Sequence, residues 1–150
     1  MRQRRRTHDR ARIVGTLDER LLLLRIAKEV LSVMPVVHEE LDIDIQALEQ
    51  VRLCFLREPD DRLMGLCSYS NSSPHHATQF QDRNRTHRIL IHRALLHDDV
   101  FEAVRTVHHE FLHSVLGSEE GHGPIFMEHD GRFVSKANEI ATRIMRRRET

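Results

Sequence analysis

The sequence predicts a small α+β domain, because capped amphipathic helices flank short apolar segments with strand character. The chain has 150 residues, of which 39% are hydrophobic, enough for one compact core and little more. We therefore expect a basic flexible arm over residues 1–12 and a single domain over residues 13–150. The predicted order is an N-terminal helix, a three-stranded, mostly antiparallel sheet, a histidine-bearing helix and a C-terminal helix.

The N-terminal helix is predicted over residues 17–33 from its leucine-rich pattern. Thr16 and Glu19 have the spacing of a capping box, and Pro35 is expected to end the helix. The segment that follows is ambiguous, and we expect a short helix around residues 45–50.

Three segments have strand character. Residues 51–56 and 63–70 predict two strands joined by the turn at residues 58–61. After a polar loop over residues 71–86, residues 88–92 predict the third strand. The two cysteines of the chain, Cys54 and Cys67, are too far apart for a cysteine metal site and are expected to be free thiols on neighbouring strands.

Residues 98–116 predict an amphipathic helix. Asp98 or Asp99 can cap its first turn, and Gly117 can end it in the left-handed conformation. Its apolar residues recur at three- and four-residue spacing, which predicts a face that packs on the core. They are Val100, Val104, Val107, Phe111 and Val115.

The polar side of this helix carries candidate metal ligands. His109 and His113 are offset by about 40° around the helix axis, so both imidazoles can bind one ion, and Glu110 can reach a water molecule beside it. A catalytic zinc usually has three protein ligands. His122, between two glycines, is the favoured third ligand, and His129 is the alternative. Without a metal, the same residues would form a surface helix with solvated histidines.

His108 and the last helix are predicted to have structural roles. His108 is rotated away from His113 and is expected to pack against the core or bond a backbone group. The last helix is predicted over residues 132–147, with residues 127–132 as its solvated start, and it should support the histidine-bearing helix. Its apolar face consists of Phe133, Ala137, Ile140, Ala141 and Ile144.

Four segments together resemble a known family. They are residues 65–70, residues 88–96, the His-Glu-x-x-His motif at residues 109–113 and the Gly-His-Gly-Pro-x-Phe turn at residues 121–126. In this order they resemble the SprT-like metallopeptidase domain over about residues 50–145. That family includes the Spartan proteases, which degrade proteins crosslinked to DNA.

The resemblance implies a zincin-like (minigluzincin) fold and a zinc-dependent endopeptidase. By position, His109, His113 and His122 would hold Zn²⁺ and Glu110 would be the catalytic carboxylate. The strand at residues 88–92 resembles the edge strand that aligns an extended substrate. Expected substrates are flexible or unfolded protein segments, including those of DNA-bound or DNA-crosslinked proteins.

Charge and composition bear on partners and location. Lys plus Arg and Asp plus Glu number 23 each, so no global field favours nucleic acid. Arginines cluster at both ends, where they can contact DNA or simply form a solvated arm and a basic helix end. They are Arg2, Arg4, Arg5, Arg6, Arg10, Arg12, Arg146, Arg147 and Arg148. No secretory or membrane-spanning segment is apparent, and a reducing cytoplasmic setting is expected.

Three alternatives to a DNA-associated protease stay open. The first is a small zinc peptidase without DNA contact. The second is a non-catalytic module in which zinc only joins two helices and the protein binds nucleic acid or protein. The third is a metal-free DNA-binding protein. Glu110 discriminates between the first two, because proton transfer needs it and a structural metal site does not.

Overall fold

The computed structural model describes residues 14–56, 65–69, 87–117 and 120–149, without the side chains of residues 66–69, 87 and 149. The predicted arm at residues 1–12, the turn at residues 58–61 and the polar loop at residues 71–86 lie outside the described residues.

Helices and strands are both present, and the α+β class is confirmed. The helices are α1 (Leu17–Val37), α2 (Ile45–Leu48), α3 (Leu95–Asp98), α4 (Val100–Leu116), α5 (Pro124–Arg132) and α6 (Val134–Glu149), with a 3₁₀ turn at Glu39–Leu41. The strands are β1 (Arg52–Phe55), β2 (Gly65–Tyr69) and β3 (His87–Ile91).

The sheet has the order β1-β3-β2. β3 runs parallel to β1, from the pair Arg52 and Arg88 to the pair Phe55 and Ile91, and antiparallel to β2. The predicted mostly antiparallel arrangement is therefore wrong, since one pairing is of each kind.

Two further expectations about the sheet are wrong. The strand predicted as an edge, residues 88–92, is central, and β1 and β2 lie on either side of it. Cys54 and Cys67 are consequently on strands that are not neighbours. The physical reason is burial. Ile89 and Ile91 are fully buried, and a buried strand is more stable in the centre of a sheet, where neighbouring strands pair with both of its edges.

The N-terminal helix begins as predicted. The hydroxyl of Thr16 accepts a hydrogen bond from the amide of Glu19, and the carboxylate of Glu19 accepts one from the amide of Thr16. The end of the helix differs from the prediction, because α1 continues through Pro35 to Val37. Met34, immediately before the proline, is fully buried, so core packing outweighs the loss of one helical hydrogen bond.

Glu19 also joins α1 to the segment after β3. Its carboxylate accepts hydrogen bonds from Arg93 at 3.1 Å and from His97 at 2.7 Å. The hydrogen bond from His97, the backbone hydrogen bond from Thr16 and the charge of Arg93 lower the pKa of Glu19 to about 2.

We expect Glu19→Gln to lower the free energy of unfolding by about 1 kcal/mol at pH 7, because it removes the charge that pairs with Arg93 and His97. The effect is modest because both partners are partly exposed to solvent. The pKa of Glu19 is lower in the folded protein than in the unfolded chain. The stabilisation that the Glu19 carboxylate provides is therefore present above pH 4.5 and is lost as the pH falls towards about 2. Urea unfolding at several pH values measures it. A difference between wild type and variant that grows on acidification would contradict the prediction.

The core lies where the helices meet one another and the buried face of the sheet. α4 is its central helix, in contact with α1, α6, β2 and β3. All five predicted apolar residues of α4 are buried, and the predicted packing of α6 on α4 is confirmed. The side chains shared by these elements include Ile26, Val30, Ile89, Ile91, Val107, Phe111, Ile140 and Ile144.

The predicted single C-terminal helix is in fact two. Pro124 begins α5, Phe133 separates α5 from α6, and α6 extends to Glu149. Proline is favourable in the first turn of a helix, where its missing amide hydrogen has no helical partner. The expectation of a solvated start holds for Met127, which is exposed, but not for His129, which is buried.

None of the helices in the described part of the chain is long and apolar enough to cross a lipid bilayer.

Candidate metal centre

Two of the candidate ligands lie on α4. Asp99 caps this helix by accepting a hydrogen bond from the amide of Glu102, as predicted. Gly117 ends it with the expected positive φ, 86°, although its ψ of 167° is extended rather than left-handed helical. The buried face of α4 is held by the core, so the half-buried rings of His109 and His113 project to the opposite side.

The third candidate, His122, lies in the turn before α5. Gly121 has a φ of 54°, a conformation that side chains disfavour. The carboxylate of Glu120 accepts hydrogen bonds from the amides of Ile125 at 3.0 Å and Phe126 at 3.3 Å, and so caps α5. It leaves no room for a side chain at Gly123, whose Cβ would lie 2.5 Å from a Glu120 oxygen.

The turn brings His122 onto the two histidines of α4. Its Nε2 atom lies 3.1 Å from Nε2 of His113 and 3.3 Å from Nε2 of His109. One nitrogen from each ring lies within 4.8 Å of the others, and in the described ranges no other three side chains form a comparable group. The three imidazoles can therefore hold a metal ion.

Phe126 forms the apolar wall of this cluster. Its fully buried ring lies 4.3 Å from the ring of His113, nearly parallel to it, and edge-on to the rings of His109 and His122. Burial and, to a smaller extent, the neighbouring His109 and His122 together lower the pKa of His113 to about 4. The ring is then neutral at pH 7, as metal binding requires.

Asp130 of α5 orients one of the rings. Its Oδ2 atom lies 3.3 Å from Nδ1 of His109, which leaves Nε2 of that ring facing the cluster. Burial opposes protonation of His109, but this hydrogen bond and the charges of Asp130 and Glu110 together outweigh burial and raise the pKa of His109. This role of Asp130 was not predicted from the sequence. The available signal was a carboxylate shortly after the third histidine, because ligating histidines commonly donate to one.

Glu110 follows His109 on α4, its charge interacts with that ring, and it is 5% exposed. Burial raises its pKa to about 7, with a smaller contribution from the charge of Asp130 and an opposing one from His109. β2 passes close by: a Cβ on Gly65 would lie 2.9 Å from a carboxylate oxygen of Glu110 and 2.6 Å from the methyl group of Thr106. A carboxyl group with this pKa can both accept and release a proton near neutrality.

The other histidines considered from sequence lie elsewhere. His129 is directed away from the three-histidine cluster and contacts His38, with 3.0 Å between their Nδ1 atoms. His108 is buried as predicted and stacks on Phe133, but its polar partners are the side chains of His38 and Asp130 rather than a backbone group.

The ligand chemistry fits a borderline divalent metal. Three imidazoles suit zinc, and also copper, iron or nickel, better than magnesium or calcium, which prefer oxygen. Three protein ligands leave further positions for a solvent or substrate oxygen, as in catalytic rather than structural zinc sites.

Comparisons with family models, with curated proteins and with solved structures give no match for this chain. The resemblance to the SprT-like domain therefore stays a prediction that rests on the residues that suggested it.

Proposed function

We propose that this protein is a zinc-dependent endopeptidase with a SprT-like, zincin-like (minigluzincin) domain. Its substrates would be flexible or unfolded protein segments, including those of DNA-bound or DNA-crosslinked proteins, in a cytoplasmic setting. The observation that carries the proposal is the buried Glu110 carboxylate beside the cluster of His109, His113 and His122. A site that only joined two helices would have no need of such a carboxylate.

The roles follow from position and charge. His109, His113 and His122 would hold the zinc ion, and Asp130 would keep His109 in the ligating orientation. When bound, zinc supplies a Lewis acid that polarises a peptide carbonyl and acidifies water. Glu110 accepts the proton of the attacking water and delivers it to the leaving amine. No covalent intermediate with the protein is required.

Substrate alignment is proposed for β2 rather than for the strand expected from sequence. Within the described residues β2 pairs on one side only, with β3, and α4 packs against it. An extended peptide that pairs with the other edge of β2 passes near Glu110, because Gly65 of β2 approaches the Glu110 carboxylate. Pairing through the backbone selects for flexible segments more than for particular side chains.

DNA contact is supported only by the arginine clusters. Arg146, Arg147 and Arg148 lie exposed in the last turn of α6, and the N-terminal cluster lies outside the described residues. Contact with phosphates would make DNA binding weaken steeply with salt. A protein that cleaves its substrate but shows no such binding would instead be a small zinc peptidase unrelated to DNA.

The test is cleavage of a denatured, soluble protein by the purified chain loaded with zinc. We expect peptide-bond hydrolysis that a chelator abolishes and added zinc restores, because the three imidazoles act only through the ion. Mass spectrometry of the products and elemental analysis of the enzyme are the measurements.

Two results would contradict the proposal. Bound zinc without cleavage of denatured or DNA-bound protein, with or without DNA, would favour the non-catalytic binding module. Absence of any bound metal would favour the metal-free DNA-binding protein.

A further inference from the structure

A chain of buried histidines lies behind the metal centre. His38 follows the end of α1, His108 lies on α4 and His129 lies on α5. Their exposed fractions are 0%, 1% and 4%, respectively. None of them belongs to the three-histidine cluster. Polar rings are seldom buried so completely without a role for their hydrogen bonds.

The rings connect end to end. Nδ1 of His129 lies 3.0 Å from Nδ1 of His38, and Nε2 of His38 lies 2.8 Å from Nε2 of His108. Nδ1 of His108 lies 3.3 Å from Oδ1 of Asp130, whose other oxygen contacts the ligand His109. A continuous path of side chains therefore links the end of α1 to the metal centre.

The hydrogen bonds of this path can run in one direction only. A carboxylate can only accept, so Nδ1 of His108 is the donor in its contact with Asp130. A neutral imidazole has one donor and one acceptor, so Nε2 of His108 accepts from Nε2 of His38. The remaining nitrogen of His38, Nδ1, then accepts from Nδ1 of His129.

Packing holds these rings in place. The ring of His108 stacks on Phe133 with their centroids 3.8 Å apart and an angle of 4° between their planes. His38 lies edge-on to His129, with 4.9 Å between centroids. A ring flip would separate donors from acceptors in a buried setting, where each unmet polar atom is costly.

We propose that His38 and His108 are positioning residues for the metal centre, which act through Asp130 on the ligand His109. His108 occupies one oxygen of Asp130 and keeps the other directed at Nδ1 of His109, and His38 supplies the donor that fixes the tautomer of His108. His109 then presents an unprotonated Nε2 to the ion. The inference rests on the metal centre of the proposed function.

The test compares His38→Phe with His38→Gln. Phenylalanine fills the space but removes the donor to His108, whereas the glutamine amide can donate to His108 and accept from His129. Met34→Ala is the matched control, because Met34 is equally buried at the same end of α1 and its side chain has no hydrogen bonds to lose. Circular dichroism identifies conditions in which every variant is folded.

Two quantities are measured in those conditions. Zinc affinity, from competition with a chromogenic chelator, should fall about tenfold or more in His38→Phe and stay within about threefold of wild type in His38→Gln and Met34→Ala. Ring-nitrogen chemical shifts of the metal-free, ¹⁵N-labelled wild type should show His108 protonated on Nδ1 alone and His38 on Nε2 alone.

The outcomes separate this inference from the proposed function. Wild-type zinc affinity that is unchanged in His38→Phe overturns the inference and leaves the metal centre standing. Tautomers opposite to those assigned also overturn it, whether or not zinc binds. A wild-type protein with no affinity for zinc overturns the metal centre and the positioning role together.

Discussion

Replacing Glu110 with glutamine is expected to lower peptidase activity by about 10²–10⁴-fold while the protein still binds zinc. Glutamine has nearly the same shape, so it fits beside Gly65 and Thr106, where the carboxylate is now packed. It cannot accept the proton of the attacking water. Activity on a denatured protein and zinc content by elemental analysis measure the two effects separately.

A matched control is available on the same helix. Glu102→Gln removes a carboxylate that is 43% exposed, lies 3.8 Å from Arg105 and does not belong to the three-histidine cluster, so activity should be unchanged. Full activity in Glu110→Gln would contradict the proposed mechanism. Loss of zinc together with activity would instead assign Glu110 to the metal site itself.

Replacing His122 with alanine is expected to weaken zinc binding by more than about 100-fold, since loss of a ligand should exceed the 10–100-fold effect typical of an outer partner. The distances of 3.1 Å and 3.3 Å from its Nε2 to those of His113 and His109 are the basis for this expectation. Elemental analysis and chelator competition are suitable measurements.

Two other histidine variants serve as controls for His122→Ala. His129→Ala should weaken zinc binding much less, because His129 contacts His38 at the far end of the buried chain. His97→Ala should leave zinc binding unchanged, because His97 pairs with Glu19 on another part of the protein. Strong loss of zinc in His129→Ala with retention in His122→Ala would reverse the ligand assignment.

Local chemistry made several features predictable. The capping box of Thr16 and Glu19, the cap at Asp99 and the buried stripe of α4 all depend on residues within one or two helical turns of each other. Pro124 at the start of α5 is a similar local signal, although the separate helix that it begins was not predicted.

The order of the strands was not predictable in this way. The segment between β1 and β2 is short, which favours pairing of consecutive strands, yet β3 lies between them. The free energy that favours a central β3 comes from burying Ile89 and Ile91 under α4 and the other helices. That burial depends on packing between segments that are distant in sequence.

Local sequence is sufficient to identify the groups that can bind a metal: two histidines one helical turn apart, a glutamate between them and a third histidine in a glycine-flanked turn. The side chains that support these groups come together only in the folded protein. Asp130 is 21 residues from His109, and His38 is 70 residues from His108. Helical periodicity constrains neighbours over a turn or two, whereas hydrogen bonds over such separations exist only once α1, α4 and α5 have packed together.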